Sequence, residues 1–221
     1  MNTRFVTPKP NPEHPAFQTG LGKSVRNTFH QHVTDWADCQ RCHLHDHANI
    51  HVLTRGTLPC DILFIGEAPG ASEDATGQPF VGRAGSLLDA LIAEAPATLN
   101  YRVCITNIIA CFPLDTELLP KRTPRRPRML EAIKCRPRLT EIFLMAQPKA
   151  VVFLGESAQD FGPPAFPLTT PYMTLNLWHP SYLAIRGGAK SPLYLEWRNQ
   201  YLHFLQEVQT HARRSSSKRS G

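Results

Sequence analysis

No apolar run in this sequence approaches the roughly 18 residues a membrane-spanning helix needs, so a helical membrane protein is not expected. A secretory-type start is missing too. Met1 to Pro15 holds four prolines and no apolar core, which predicts an intracellular, cytoplasmic address. No internal repeat is visible, which sets aside solenoids and propellers. Charged residues are few at 19%, beside 42% hydrophobic ones, a globular rather than a disordered balance. With Lys+Arg 24 against Asp+Glu 18, the net charge is +6, a surplus that permits a polyanionic partner without establishing one. Six cysteines in a reducing compartment point to metal ligation or burial rather than a disulfide framework. The length of 221 residues suits one α/β domain with extensions.

Residues 1–22 read as a flexible Pro-rich arm, 23–211 as one domain, and 212–221 as a basic disordered tail carrying Arg213, Arg214, Lys218 and Arg219. A helix is expected over residues 24–38, with Phe29, His32, Val33 and Trp36 on one face. Four short apolar runs predict strands: Asp61–Gly66, Arg102–Ile108, Lys149–Gly155 and Thr174–Trp178. Such runs suit a parallel sheet buried on both faces. Helical patterns fall between them at Gly85–Ala95 and Pro127–Gln147, the second expected to break or kink at Pro137. A last helix is expected from Pro192 to Ala212, capped by Ser191. Alternating strands and helices predict a three-layer α/β/α sandwich around a mostly parallel four-stranded sheet. Ligands in such folds bind beyond the carboxyl ends of the strands.

The first strand runs into a Gly/Pro-rich loop holding Glu67, Glu73, Asp74 and Phe80; the second ends in Thr106-Asn107; the fourth is followed by His179-Pro180-Ser181-Tyr182. Taken singly, each of these is more often a turn former or a satisfied structural residue. Acids, an aromatic ring, an amide and an imidazole gathered at one sheet edge make up the composition of an active-site pocket.

On these strings the sequence resembles the uracil-DNA glycosylase superfamily, in particular its iron–sulfur-containing family 4 type. The strings are GEAPG at 66–70, ED at 73–74, G-x-PFVGRAG at 77–85, TNI at 106–108 and HPSYL at 179–183, in order. The first block is long and specific, while the later ones support it by position. The resemblance implies that Cys39, Cys42, Cys111 and Cys135 ligate one [4Fe–4S] cluster, whereas Cys60 and Cys104 read as buried core thiols. Rival readings exist. Cys39 to His43 matches C-x-x-C-H, but covalent haem attachment requires export. Six of the ten histidines lie between His30 and His51, so a zinc site of Cys39, Cys42 and two histidines is an alternative that leaves Cys111 and Cys135 unexplained. Gly22-Lys23-Ser24 lacks the first glycine and the preceding strand of a phosphate loop, and Gly155 to Gln159 lacks the second glycine of a nucleophile elbow.

The resemblance implies a monomeric, monofunctional DNA-repair enzyme that hydrolyses the N-glycosidic bond of uracil in single- or double-stranded DNA and leaves an abasic site. A base inside a duplex must be flipped out to be reached. Phe80 would stack on the uracil and Asn107 would read its edge. The Glu67-Ala68-Pro69-Gly70 turn would contact its oxygens, and His179 would donate to O2 as charge develops. Glu67 and Glu73 are both candidates for positioning water, with Glu73 favoured. No lysine occurs in the motif strings, so no Schiff base is expected. DNA contacts are expected from Arg83, from Lys121, Arg122, Arg125 and Arg126, and from Ser181 to Arg186. Two departures stand out. Twenty-three residues separate Cys111 from Cys135, an excess placed in Pro113–Pro124. A related branch has an insertion there with a sugar-capturing histidine, which this one lacks. The family's Lys-Cys-Arg-Pro also reads Ala110-Cys111-Phe112-Pro113. The competing readings are a catalytically weak binder of DNA or abasic sites on the same fold, and a zinc-stabilised nucleic-acid-binding module. The four tail cations leave only +2 on the remainder. A cluster with four thiolates would bring in about −2, so DNA binding would depend on local basic segments.

Overall fold

The computed structural model describes residues 23–115, 123–166 and 172–217. Its strands, in chain order, are β1 (Thr54–Gly56), β2 (Ile62–Gly66), β3 (Val103–Asn107), β4 (Leu114–Asp115), β5 (Thr123–Pro124), β6 (Ala150–Leu154) and β7 (Met173–Leu177). The four expected runs are β2, β3, β6 and β7, each within a residue or so of its predicted bounds and all paired in parallel. A fifth strand joins them, because β1 adds antiparallel to the outer edge of β3, giving the order β1-β3-β2-β6-β7. Thr-Arg-Gly has no apolar signature. The strand is recruited by ladder bonds to the β3 edge, helped by Thr54 Oγ1 donating to the Ile105 carbonyl at 2.9 Å. Within the expected insertion, β4 and β5 form a separate two-stranded ribbon.

The helices are α1 (Lys23–Ala37), α2 (Ala71–Thr76), α3 (Arg83–Ala93), α4 (Met129–Ala146), α5 (Glu156–Phe161), α6 (Pro180–Ala184) and α7 (Pro192–Ser217). Side chains alternate across a strand, and that alternation builds the layers. Leu63 and Ile65 of β2 pack with Val151 and Phe153 of β6 against Leu139, Ile142 and Phe143 of α4, and against Phe29 of α1. Ile62 and Phe64 face the other way, with Val152 and Leu154, onto Leu88 and Leu91 of α3 and Trp197, Tyr201 and Leu205 of α7. Every residue of β2 and β6 is buried, as a doubly covered parallel sheet requires.

Two expectations need correction. Helix α4 runs unbroken through Pro137. The proline lies on the exposed face, and the carbonyl it frees, that of Ile133, belongs to an exposed residue that water can satisfy. Helix α7 continues to Ser217, so residues 212–217 of the tail expected to be disordered are helical. Residues 218–221 and the arm 1–22 lie outside the described residues. Ser191 does cap α7, accepting the Tyr194 N–H at 3.2 Å. Among the described residues no helix is long and apolar enough to cross a membrane.

Candidate active site and cysteine recess

The parallel register sets Gly66, the last residue of β2, beside Asn107, the last residue of β3. A Cβ on Gly66 would lie 2.3 Å from Phe80 Cζ and 2.5 Å from Asn107 Oδ1, so only glycine lets the ring and the amide close over this strand end. Phe80 is buried and held at φ 58°, a left-handed conformation costly for an aromatic residue. Arg55 of β1 fastens it there. Its Nε donates to the Pro79 carbonyl at 2.7 Å, its Nη2 to the Phe80 carbonyl at 3.2 Å, and it pairs with Asp89 at 2.6 Å. The strand that carries no apolar signal thus positions the aromatic wall.

Glu73 is committed to the backbone. One oxygen accepts Val81 N–H at 2.9 Å and Gly82 N–H at 3.0 Å, and the other accepts Gly70 N–H at 3.0 Å. This carboxylate clamps the loop after β2 onto the start of α3, and it takes up the Gly70 amide expected to face the ligand. Glu67 is different. Its Oε2 accepts the Ser157 hydroxyl at 2.6 Å, and its Oε1 has no hydrogen-bond partner among the described residues. Ser157 lies in the segment that fails as a nucleophile elbow; its hydroxyl orients a carboxylate instead.

His179 stands after β7 and caps α6. Its Nδ1 accepts the Ser181 backbone N–H at 3.3 Å. Since an amide N–H only donates, the neutral ring carries its proton on Nε2. Burial pushes its pKa down to about 4, against a small opposing pull from Glu73, so the ring is neutral at working pH. The ring lies 5.8 Å from Phe80, centroid to centroid. Both His179 Nε2 and Asn107 Oδ1 are buried without a hydrogen-bond partner among the described residues. Buried polar atoms are rarely left unmet. Both residues line one cavity of about 350 Å³, together with Glu67, Ala68, Pro69, Gly70, Glu73, Phe80 and Ser181.

More of the lining comes from the ends of the insertion and the residues that flank it. Phe112, Pro113, Pro124 and Arg125 also line this cavity, a contribution no motif announced. Arg125 was expected on DNA. Instead its guanidinium grips Glu131 at 2.9 and 2.5 Å and the Leu114 carbonyl at 3.1 Å, so its donors are committed within the protein. Burial raises the Glu131 pKa, but the Arg125 pair and the Arg128 N–H outweigh it, and the carboxyl sits below its ordinary range. Of the other expected DNA contacts, Arg83, Arg126, Ser181 and Arg186 are exposed. Arg126 pairs with Glu156 at 3.1 Å on the surface, and Arg186 stacks over Tyr182 at 3.7 Å. Lys121 and Arg122 lie outside the described residues.

Cys39, Cys42, Cys111 and Cys135 line a second recess, with Arg41, Lys134 and Arg138. Burial pushes the Cys111 thiol well up, and the three neighbouring cysteines add to the shift; burial raises Cys42 likewise. Four soft sulfur donors ringed by three cations suit an anionic, thiolate-ligated group. Among the described residues no three His, Cys, Asp or Glu side chains converge as one metal ion demands. His51 lines the recess, but its Nε2 meets the Cys39 carbonyl at 3.0 Å, which weighs against the zinc alternative. Cys60 and Cys104 are buried, as expected of core thiols.

Fold and cavity together define a three-layer α/β protein with its ligand pocket at the carboxyl edge of a parallel sheet. The model of the uracil DNA glycosylase superfamily matches residues 54–203, and the chain belongs to that superfamily. Among curated proteins it is 36% identical over 123 residues to a type-4 uracil-DNA glycosylase of Saccharolobus solfataricus, covering 56% of this chain and 53% of that one. It is 37% identical over 121 residues to a type-4 uracil-DNA glycosylase of Pyrobaculum aerophilum, covering 53% and 56%. A third, from Thermotoga maritima, is 36% identical over 123 residues, covering 56% and 59%. The chain therefore spans rather more than half the length of these relatives.

Proposed function

We propose that this protein is a uracil-DNA glycosylase that hydrolyses the bond between uracil and deoxyribose in DNA and releases free uracil. The observation that carries this reading is the pair of buried, unpartnered polar atoms, one acceptor and one donor, beside the Phe80 ring. Uracil presents N3–H between two carbonyl oxygens. Asn107 Oδ1 accepts N3–H, its amide NH₂ donates to O4, and His179 Nε2–H donates to O2. Cytosine presents an acceptor where uracil has N3–H, and a site with fixed polar groups rejects it by leaving them unpaired. As the glycosidic bond breaks, negative charge collects on the base, and the His179 N–H stabilises it. Such a donor contributes about 10²–10³ in rate.

The water is assigned to Glu67, with Glu73 a clamp. Three N–H bonds occupy the Glu73 carboxylate, whereas Glu67 keeps an oxygen without a partner among the described residues and is oriented by Ser157. No lysine lines the pocket among the described residues, in keeping with water as the nucleophile. Ala68 and Pro69 line the pocket. Arg83, Arg126 and Arg186, with Ser181, remain the described candidates for phosphate contact; Lys121 and Arg122 are retained from the sequence. We assign Cys39, Cys42, Cys111 and Cys135 to a [4Fe–4S] cluster that joins the α1 end to the loop after β3. When bound it supplies a structural tie rather than a reactant, since the hydrolysis transfers no electrons.

The test is excision from oligonucleotides carrying one uracil, single- and double-stranded, followed by alkali. Strand cleavage at the uracil is the expected result. No cleavage by protein that retains its iron and sulfide would overturn the enzyme reading in favour of a non-catalytic binder.

A further inference from the structure

Arg138 sits in the middle of α4 and is fully buried. All five of its N–H donors are used. Nε donates to Cys135 Sγ at 3.3 Å; Nη1 donates to the Leu53 carbonyl at 3.3 Å and Thr106 Oγ1 at 3.1 Å. Nη2 donates to the Asn107 carbonyl and to the Ile108 carbonyl at 2.9 Å. A guanidinium stays charged in any protein environment, and this one makes no ion pair with a carboxylate among the described residues. A buried cation without a counter-charge is strongly disfavoured. The sulfur set of the cysteine recess, which Arg138 itself lines, can supply that charge.

We propose that Arg138 is a positioning residue that couples the cysteine site to base recognition: a single rigid, planar side chain holds Cys135 and the backbone of Asn107 and Ile108. This rests on the function proposed above and deepens it. The Asn107 side chain must keep its place while both its edges are offered to a ligand, and its own Oδ1 has no partner among the described residues to steady it. Its fixity comes from its backbone, and Arg138 anchors that backbone from behind. The anchor is set in turn by what occupies the cysteines. Disturbing Cys135 should therefore loosen the end of β3 through Arg138.

The test is a double-variant cycle on the full-length, anaerobically purified protein, read by hydrogen exchange at the amides of residues 107–109. Arg138→Met and Cys135→Ala should each raise exchange there by about tenfold or more, and the double variant should exceed the larger single effect by no more than about threefold. Arg138→Lys, with three donors in place of five, should fall between wild type and Arg138→Met. If Arg138→Met does not fold, the lysine variant completes the cycle. Additive effects, or protection unchanged in Arg138→Lys and Arg138→Met, would overturn the proposal, since a purely structural arginine would not make one effect mask the other. Exchange is read without substrate. Masking in a protein that fails to excise uracil would sink the function and leave the coupling. Additivity in an active glycosylase would do the reverse.

Discussion

Replacing Gly66 by alanine adds one methyl group at the point where β2, the Phe80 ring and the Asn107 amide meet. That carbon would stand 2.3 Å from Phe80 Cζ, 2.8 Å from Cε2 and 2.5 Å from Asn107 Oδ1, whereas ordinary contact begins at 3.4 Å. The ring and the amide must therefore each give way by about 1 Å. Neither can do so freely. The Phe80 backbone is pinned by Arg55, and a side chain on Gly85 would collide with the Phe80 carbonyl, so the space behind it is closed. The Asn107 backbone is held by Arg138. Overpacking of this kind costs about 1–3 kcal/mol of stability, which a folded domain tolerates. A 1 Å misplacement of groups that orient a substrate costs about 10²-fold in rate. Gly66→Ala should thus remain folded, with a Tm lowered by several degrees, and lose about a hundredfold in single-turnover excision from a single-stranded uracil oligonucleotide. Single-turnover conditions isolate the chemical step from product release. Excision within threefold of wild type would mean that Phe80 and Asn107 do not hold the base.

His179→Ala should lower the excision rate by about 10²–10³. The wild-type rate should show no ionisation of this residue between pH 5.5 and 8, because its folded pKa is about 4; a break near pH 6.5 that His179→Gln abolishes would contradict the neutral-donor role. The same shift has a stability consequence. The unfolded chain takes up the proton near pH 6.5 and the folded protein only near 4, so stability is full above 6.5 and falls as pH drops through that window, which acid-dependent melts can read. The two glutamates should separate cleanly. Glu73→Gln cannot accept all three backbone N–H groups and should cost about 1–3 kcal/mol in denaturant melts, while Glu67→Gln should melt near wild type and lose about 10²-fold or more in excision. Anaerobically purified protein should be brown, with iron and sulfide, and Cys111→Ala should be paler; colourless protein with stoichiometric zinc would refute the cluster assignment.

Much of the fold was legible because a doubly covered parallel strand must be apolar on both faces. β2 and β6 announce themselves by composition alone, and their order in the chain dictates the layers. What stayed hidden depended on backbone bonding or on pairings distant in sequence. β1 has no pattern of its own and exists because the β3 edge offers unpaired carbonyls and amides. α4 survives Pro137 because the proline happens to face solvent. The basic stretch after Cys111 read as a single charged surface, yet Arg125 is drawn inward by Glu131, six residues on, whose carboxylate is 2% exposed and needs a cation.

The sequence by itself determined which chemical groups are available and, through the spacing of its motifs, that they converge at one sheet edge. It therefore carried the family, the four-cysteine set and most of the pocket, but not the part of the lining that Phe112, Pro113, Pro124 and Arg125 add. The tertiary structure decided their surroundings, on which the proposed roles rest. Glu67 and Glu73 are the same residue type six positions apart in one loop, and only their hydrogen-bond partners distinguish a carboxylate with an open oxygen from one closed by three amides. Arg138 could be read as one more cation in a helix until its surroundings showed five donors satisfied between the cysteine recess and the end of β3. A side chain's role is set by what surrounds it, and burial and hydrogen bonding are properties of the folded chain.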